Sequence, residues 1–180
     1  VTSRKLGLAV ITASVVILLL STAASAQHLF FNPSVSIPIN ITFQIDLDLT
    51  TDSLPVQGLD IVFTFDPAIV QLDAINAGSW FTGSGLDYYL WIDPLSAPGV
   101  VHATMALLGA GSTVDGTILN LSFTALDAGI SPLHFLAMSL RDDANAPLSL
   151  STHSTGDQIV IEEAIPNEEW SVSKTKLQWR

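Results

Sequence analysis

Ile39-Asn40-Ile41-Thr42-Phe43-Gln44-Ile45-Asp46-Leu47-Asp48-Leu49 is the stretch that decides the fold. Every odd position is apolar and every even one polar. That two-residue period belongs to a strand with one face buried and one face wet. Working outward, Leu59-Asp60-Ile61-Val62-Phe63-Thr64-Phe65 repeats the pattern with its odd positions inward, and Leu119 to Ala125 repeats it again. Other runs are apolar on both sides: Ile69 to Ile75, Leu86 to Ile92, Val100 to Leu108, Leu133 to Leu140 and Gln158 to Ile161. Turn formers separate them, at Asp66-Pro67, Gly83-Ser84-Gly85, Pro98-Gly99, Asp115-Gly116 and Ser154-Thr155-Gly156. With the short Val35-Ser36-Ile37, the count is roughly nine strands at the spacing of a sandwich. No segment beyond the N-terminal run shows a sustained helical period. The expected class is therefore all-β, with two sheets burying their inner faces against each other.

The N-terminus has a different character. Arg4 and Lys5 precede a nearly unbroken apolar run from Leu6 to Leu20, and Ala24-Ser25-Ala26 ends the small-residue segment. Positive start, apolar middle and A-x-A end are the parts of a secretory signal peptide. The expected division is a signal-peptide helix at 1–26, a sandwich domain at 27–163, and a linker with a short tail at 164–180. The apolar run is shorter than the ~20 residues a spanning helix prefers, and no second long run follows. No membrane span is expected after cleavage, and the expected location is secreted or cell surface.

Composition narrows the function. The chain has no cysteine, which removes thiol chemistry and Cys-based metal sites, and an exported fold must then rely on its core alone. Its net charge is −11, and no Lys or Arg occurs between Lys5 and Arg141. A body without cations cannot neutralise phosphates, so nucleic acid is excluded as a partner. Anionic membrane surfaces are disfavoured on the same ground. Five of the six cations flank the body: Arg4 and Lys5 before it, and Lys174, Lys176 and Arg180 in the tail. In that tail Trp170 and Leu177 share a helical face, a pattern suited to sorting or attachment.

Catalytic chemistry finds little support. Glycoside hydrolysis needs paired carboxyls, yet all the Glu lie at Glu162 or beyond, and Asp46 with Asp48 reads as a solvated strand face. His28, His102, His134 and His153 have no partner at metal-ligand spacing. No G-x-S-x-G elbow occurs. No cofactor is expected. The weak calcium candidate is Asp142-Asp143-Ala144-Asn145, whose oxygens could also be explained by a turn. Among the aromatics, alternation sets Tyr89 and Trp91 on one strand face, where exposed rings would suit glycan stacking.

Several motifs in order resemble a cohesin domain. They are Gly58-Leu59-Asp60-Ile61-Val62-Phe63-Thr64-Phe65-Asp66-Pro67-Ala68-Ile69-Val70, then Ala77-Gly78-Ser79-Trp80-Phe81, then Asp115-Gly116-Thr117-Ile118-Leu119-Asn120-Leu121-Ser122-Phe123, and finally Gly156-Asp157-Gln158-Ile159-Val160-Ile161. The resemblance runs from Pro33 to Glu162. It implies a jelly-roll β-sandwich without a catalytic site, which binds dockerin-bearing proteins in polysaccharide breakdown or cell-surface assembly. Family contacts lie on a face formed by the third, fifth, sixth and eighth strands. Carried over, Asp60 matches an aspartate that hydrogen-bonds dockerin Ser/Thr side chains; Val62 and Thr64 project from the same face by alternation, and His102 and Thr104 on the sixth strand complete the expected partner-binding set. Some members carry a Glu on the sixth strand, where Thr104-Met105-Ala106-Leu107 is uncharged here. The alternatives are a carbohydrate-binding module using Tyr89 and Trp91, and a surface structural module delivered by the tail.

Overall fold

In the computed structural model, residues 27–32, 35–93, 97–152 and 157–163 are described. The expected signal peptide at 1–26 and the tail at 164–180 lie outside them. Thirteen strands and one short helix follow in chain order: β1 (Gln27–Asn32), β2 (Val35–Pro38), β3 (Thr42–Thr50), β4 (Gly58–Thr64), β5 (Val70–Ala77), α1 (Ser79–Thr82), β6 (Tyr88–Ile92), β7 (Val100–Leu107), β8 (Gly116–Ala125), β9 (Gly129–Pro132), β10 (His134–Arg141), β11 (Pro147–Leu148), β12 (Leu150–Thr152) and β13 (Gln158–Glu162). Each of the nine expected runs has its strand. The additional four, β1, β9, β11 and β12, have at most six residues each.

The deciding stretch behaves as its period requires, with one correction. Ile45, Leu47 and Leu49 are buried and Asp46 and Asp48 face outward. The strand begins at Thr42 rather than Ile39, because Asn40 turns the chain with φ 65° while its N–H donates to the Ala125 carbonyl. Asn tolerates the left-handed region better than most residues, so a turn displaces the first period of the strand.

The strands form two five-stranded sheets, ordered β12-β1-β3-β8-β5 and β11-β10-β4-β7-β6, and a small sheet ordered β2-β13-β9. The large sheets meet through their apolar sides. Phe31 of β1 contacts Phe63 of β4 edge-on at 5.2 Å and stacks on Phe135 of β10 at 4.8 Å. Leu29, Ile45, Leu47, Leu121 and Phe123 from one sheet, and Ile61, Phe63, Ala103, Met105 and Leu107 from the other, are fully or almost fully buried. Each large apolar side chain so buried contributes about 1.5–3 kcal/mol. This core fixes the side of each strand, and with it the residues that reach solvent.

The short helix α1 packs against β8 and β5. Trp80 and Phe81 are buried there and contact each other edge-on at 4.8 Å. Gly78 precedes the helix against the neighbouring strand, and a Cβ at this position would lie 2.2 Å from the Thr117 carbonyl oxygen. Among the described residues no helix is long and apolar enough to cross a membrane.

Candidate functional site

β4 supplies the centre of the site. Leu59, Ile61 and Phe63 are buried, so alternation turns Asp60, Val62 and Thr64 to the outer side. Register then assigns their neighbours. Asp60 is opposite Thr104 of β7 on one side and Ser139 of β10 on the other; Val62 is opposite His102 and Ala137. Trp91 of β6 is in turn opposite Thr104, and Tyr89 opposite Ala106. One row across the sheet therefore reads Ser139, Asp60, Thr104, Trp91, and the next reads Arg141, Gly58, Ala106, Tyr89.

The five residues expected to bind a partner and the two expected to stack on glycan thus share a single face. Sequence alone separated them into rival sites, because alternation within a strand says nothing about which strands are neighbours. Gly58, Ala106, Ser139 and Arg141 were not anticipated. They line, with Asp60 and Thr104, a shallow hollow of about 240 Å³. Its floor is low because Gly58 and Ala106 carry little or no side chain, while Arg141 is held aside by donating its Nη1 to the Asn145 carbonyl at 3.0 Å.

Asp60 is the best-defined polar group on this face. Thr104 donates its hydroxyl to Oδ1 at 2.7 Å, and His102 Nε2 meets the same oxygen at 2.8 Å. Partial burial pushes the Asp60 carboxyl up, but the hydrogen bonds from Thr104 and His102 and the attraction of His102 together hold it below its ordinary value. Its side chain stays 52 % exposed, so a fixed carboxylate is presented to solvent with its second oxygen available to a donor. The rings of His102 and Trp91 meet in a T-shaped contact with centroids 5.5 Å apart, which links this carboxylate to the aromatic pair.

The other candidates lie elsewhere. Asp46 and Asp48 are on the outer side of the opposite sheet, where Asp46 accepts from Gln44 and Asn120 and Asp48 from Asn32 and Thr117. In the loop after β10, Asp142 Oδ1 accepts from the backbone N–H groups of Ala144 and Ala146, and Asn145 takes φ 59°. Asp143 is exposed beside it. Among the described residues no three His, Cys, Asp or Glu side chains gather as metal ligands would.

Comparison with known proteins gives a consistent result. The family model described as the cohesin domain matches residues 33–160. No curated protein sequence matches. Among solved structures, the seventh ScaB type I cohesin from Pseudobacteroides cellulosolvens is 14 % identical, with a TM-score of 0.65 over 79 % of this chain and 96 % of that one. The sixth cohesin of scaffoldin B from Acetivibrio cellulolyticus, solved in complex with a mutant Cel5 dockerin, is 17 % identical, with a TM-score of 0.64 over 77 % of this chain and 100 % of that one. A non-cellulosomal cohesin from the hyperthermophilic archaeon Archaeoglobus fulgidus is 10 % identical, with a TM-score of 0.57 over 80 % and 95 % of the two chains.

Proposed function

The chain belongs to the cohesin domain family, and from that premise we propose that it is an exported, non-catalytic module that docks a dockerin-bearing protein through the β10-β4-β7-β6 face. One observation supports this reading above the rest: Asp60 stands exposed on a flat sheet face, with one oxygen fixed by Thr104 and His102 and the other open to a donor. A positioned carboxylate amid Val62, Ala137 and two exposed rings combines directional recognition with apolar area to bury. The relative from Acetivibrio cellulolyticus was solved with a dockerin bound, and that class of partner is the one carried over. Such docking would attach enzymes to a scaffold for polysaccharide breakdown or to a cell surface. The support for export is the sequence Arg4 to Ala26 itself.

Capture from a panel of purified dockerins, followed by interferometry, tests the reading. Asp60→Lys should abolish capture, at least a hundredfold, while the melting temperature stays within a few degrees. Capture by the folded variant at wild-type affinity would reject Asp60 as the centre of the site.

Glycan binding is the second reading, favoured by the exposure of Tyr89 and Trp91 on the same side of one strand. It differs from the first in a simple way. It needs the rings of β6 but not the Asp60 carboxylate two strands away.

A further inference from the structure

We propose that Tyr89 and Trp91 form a clamp for one basic side chain, an arginine or a lysine, of the docked protein. The proposal rests on the docking reading and adds the chemistry of the partner. The two rings stand two residues apart on the outer side of β6 and are 51 % and 40 % exposed. That spacing, about 7 Å along a strand, lets a guanidinium or ammonium lie against the face of one ring while touching the other. Trp91 is steadied by the edge contact with His102.

Charge decides what fills the clamp. Asp87 immediately precedes β6, Asp93 follows it, and Asp60 lies in Trp91's own row. Arg141 is the one Lys or Arg among the described residues, and it sits on β10, three strand spacings or about 14 Å away. A cation over the rings therefore meets negative potential from several sides and little opposition. A neutral glycan stacking on the same rings could donate hydroxyl hydrogen bonds to these carboxylates but gains no net charge attraction from them. A second copy is disfavoured, because antiparallel pairing of two β6 edges would set Asp87 of one copy against Asp93 of the other.

The test is a titration of the ¹⁵N-labelled protein with hexa-arginine amide, hexaglutamate and cellohexaose, read from amide and indole N–H signals. Saturable movement of the Trp91 indole and the β6 amides with hexa-arginine alone is the expected result. Affinity should fall at least fivefold in Trp91→Ala and be largely kept in Trp91→Phe. Movement gathered instead around Asp46, Asp48 and Asp73, unchanged in Trp91→Ala, would overturn the clamp, and so would a Trp91 response to cellohexaose in place of hexa-arginine. If Lys174→Glu with Lys176→Glu moves the Trp91 signal before any peptide is added, this chain's own tail fills the site and the assignment to a partner falls. Failure of the clamp while Asp60→Lys still abolishes dockerin capture removes the clamp alone. Loss of the Asp60 dependence removes the docking face.

Discussion

At Asp60, two donors converge on one carboxylate oxygen, and the ionised form gains from both. Thr104→Val keeps the shape of the strand and removes one donor. The Asp60 carboxyl should then titrate at a higher pH, measured by its ¹³C shift, and capture should weaken about three- to tenfold, as loss of one partly exposed charge-assisted hydrogen bond implies. The pH dependence has a definite sign. The folded-state value lies below the ordinary value of an aspartate, so this carboxylate adds stability that is complete above that ordinary value and is lost as pH falls through the lower folded one. Its exposure makes the stability part small. The larger effect is on docking, which should persist on acidification through the range where an ordinary aspartate protonates and fail only below it. Capture lost in full between pH 7 and pH 5 would assign the control to a group other than Asp60.

Elements hold these residues in place, and their turns carry a separate prediction. Gly99 leads into β7 with φ 76°, and a Cβ there would lie 2.6 Å from the Phe65 carbonyl oxygen and 2.7 Å from Pro67 Cδ. Gly85 has a similar φ of 70° but open space around it. Gly99→Ala should therefore lower stability by about 3 kcal/mol or more in urea unfolding, against about 1–2 kcal/mol for Gly85→Ala, where only the backbone conformation opposes the side chain. Equal losses would show that the close approach relaxes freely. The strands themselves were legible wherever alternation ran long enough, as in β3, β4 and β8, since each buried side chain marks its own period. β1 and β12 were not. They pair in parallel across more than a hundred residues, Gln27 with Leu150, and nothing local signals such a ladder. The site was legible in the same limited way. Asp60, Val62 and Thr64 could be put on one side of β4, but uniting them with Tyr89 and Trp91 required the register of β4 on β7 and of β7 on β6. Register is set by the whole core, which no single run encodes.

On the scale of the molecule the two outer faces differ in kind. On the β3-β8-β5 side, the carboxylates of Asp46, Asp48 and Asp73 are engaged by Gln44, Asn120, Thr117, Asn32, Gln71 and Thr124. All of these oxygens but Asp46 Oδ2 already accept a bond, so a partner landing there must displace bonds that are made, and desolvation opposes it. The opposite face sets two exposed rings, Tyr89 and Trp91, beside its positioned Asp60 carboxylate. Asp46→Asn and Asp48→Asn should leave capture unchanged for this reason. Every one of these carboxylates still shapes the long-range field of a chain with net charge −11. A basic partner is steered by that field before any contact forms, and the steering fades once the Debye length shrinks from about 30 Å at 0.01 M salt to about 8 Å at 0.15 M. The association rate should therefore fall about tenfold or more over that range, while the dissociation rate, set by short-range contacts at Asp60 and the rings, changes little. Surface plasmon resonance at graded sodium chloride separates the two rates. An association rate indifferent to salt would mean that the partner is not drawn by charge, and that the acidity of this body serves solubility alone.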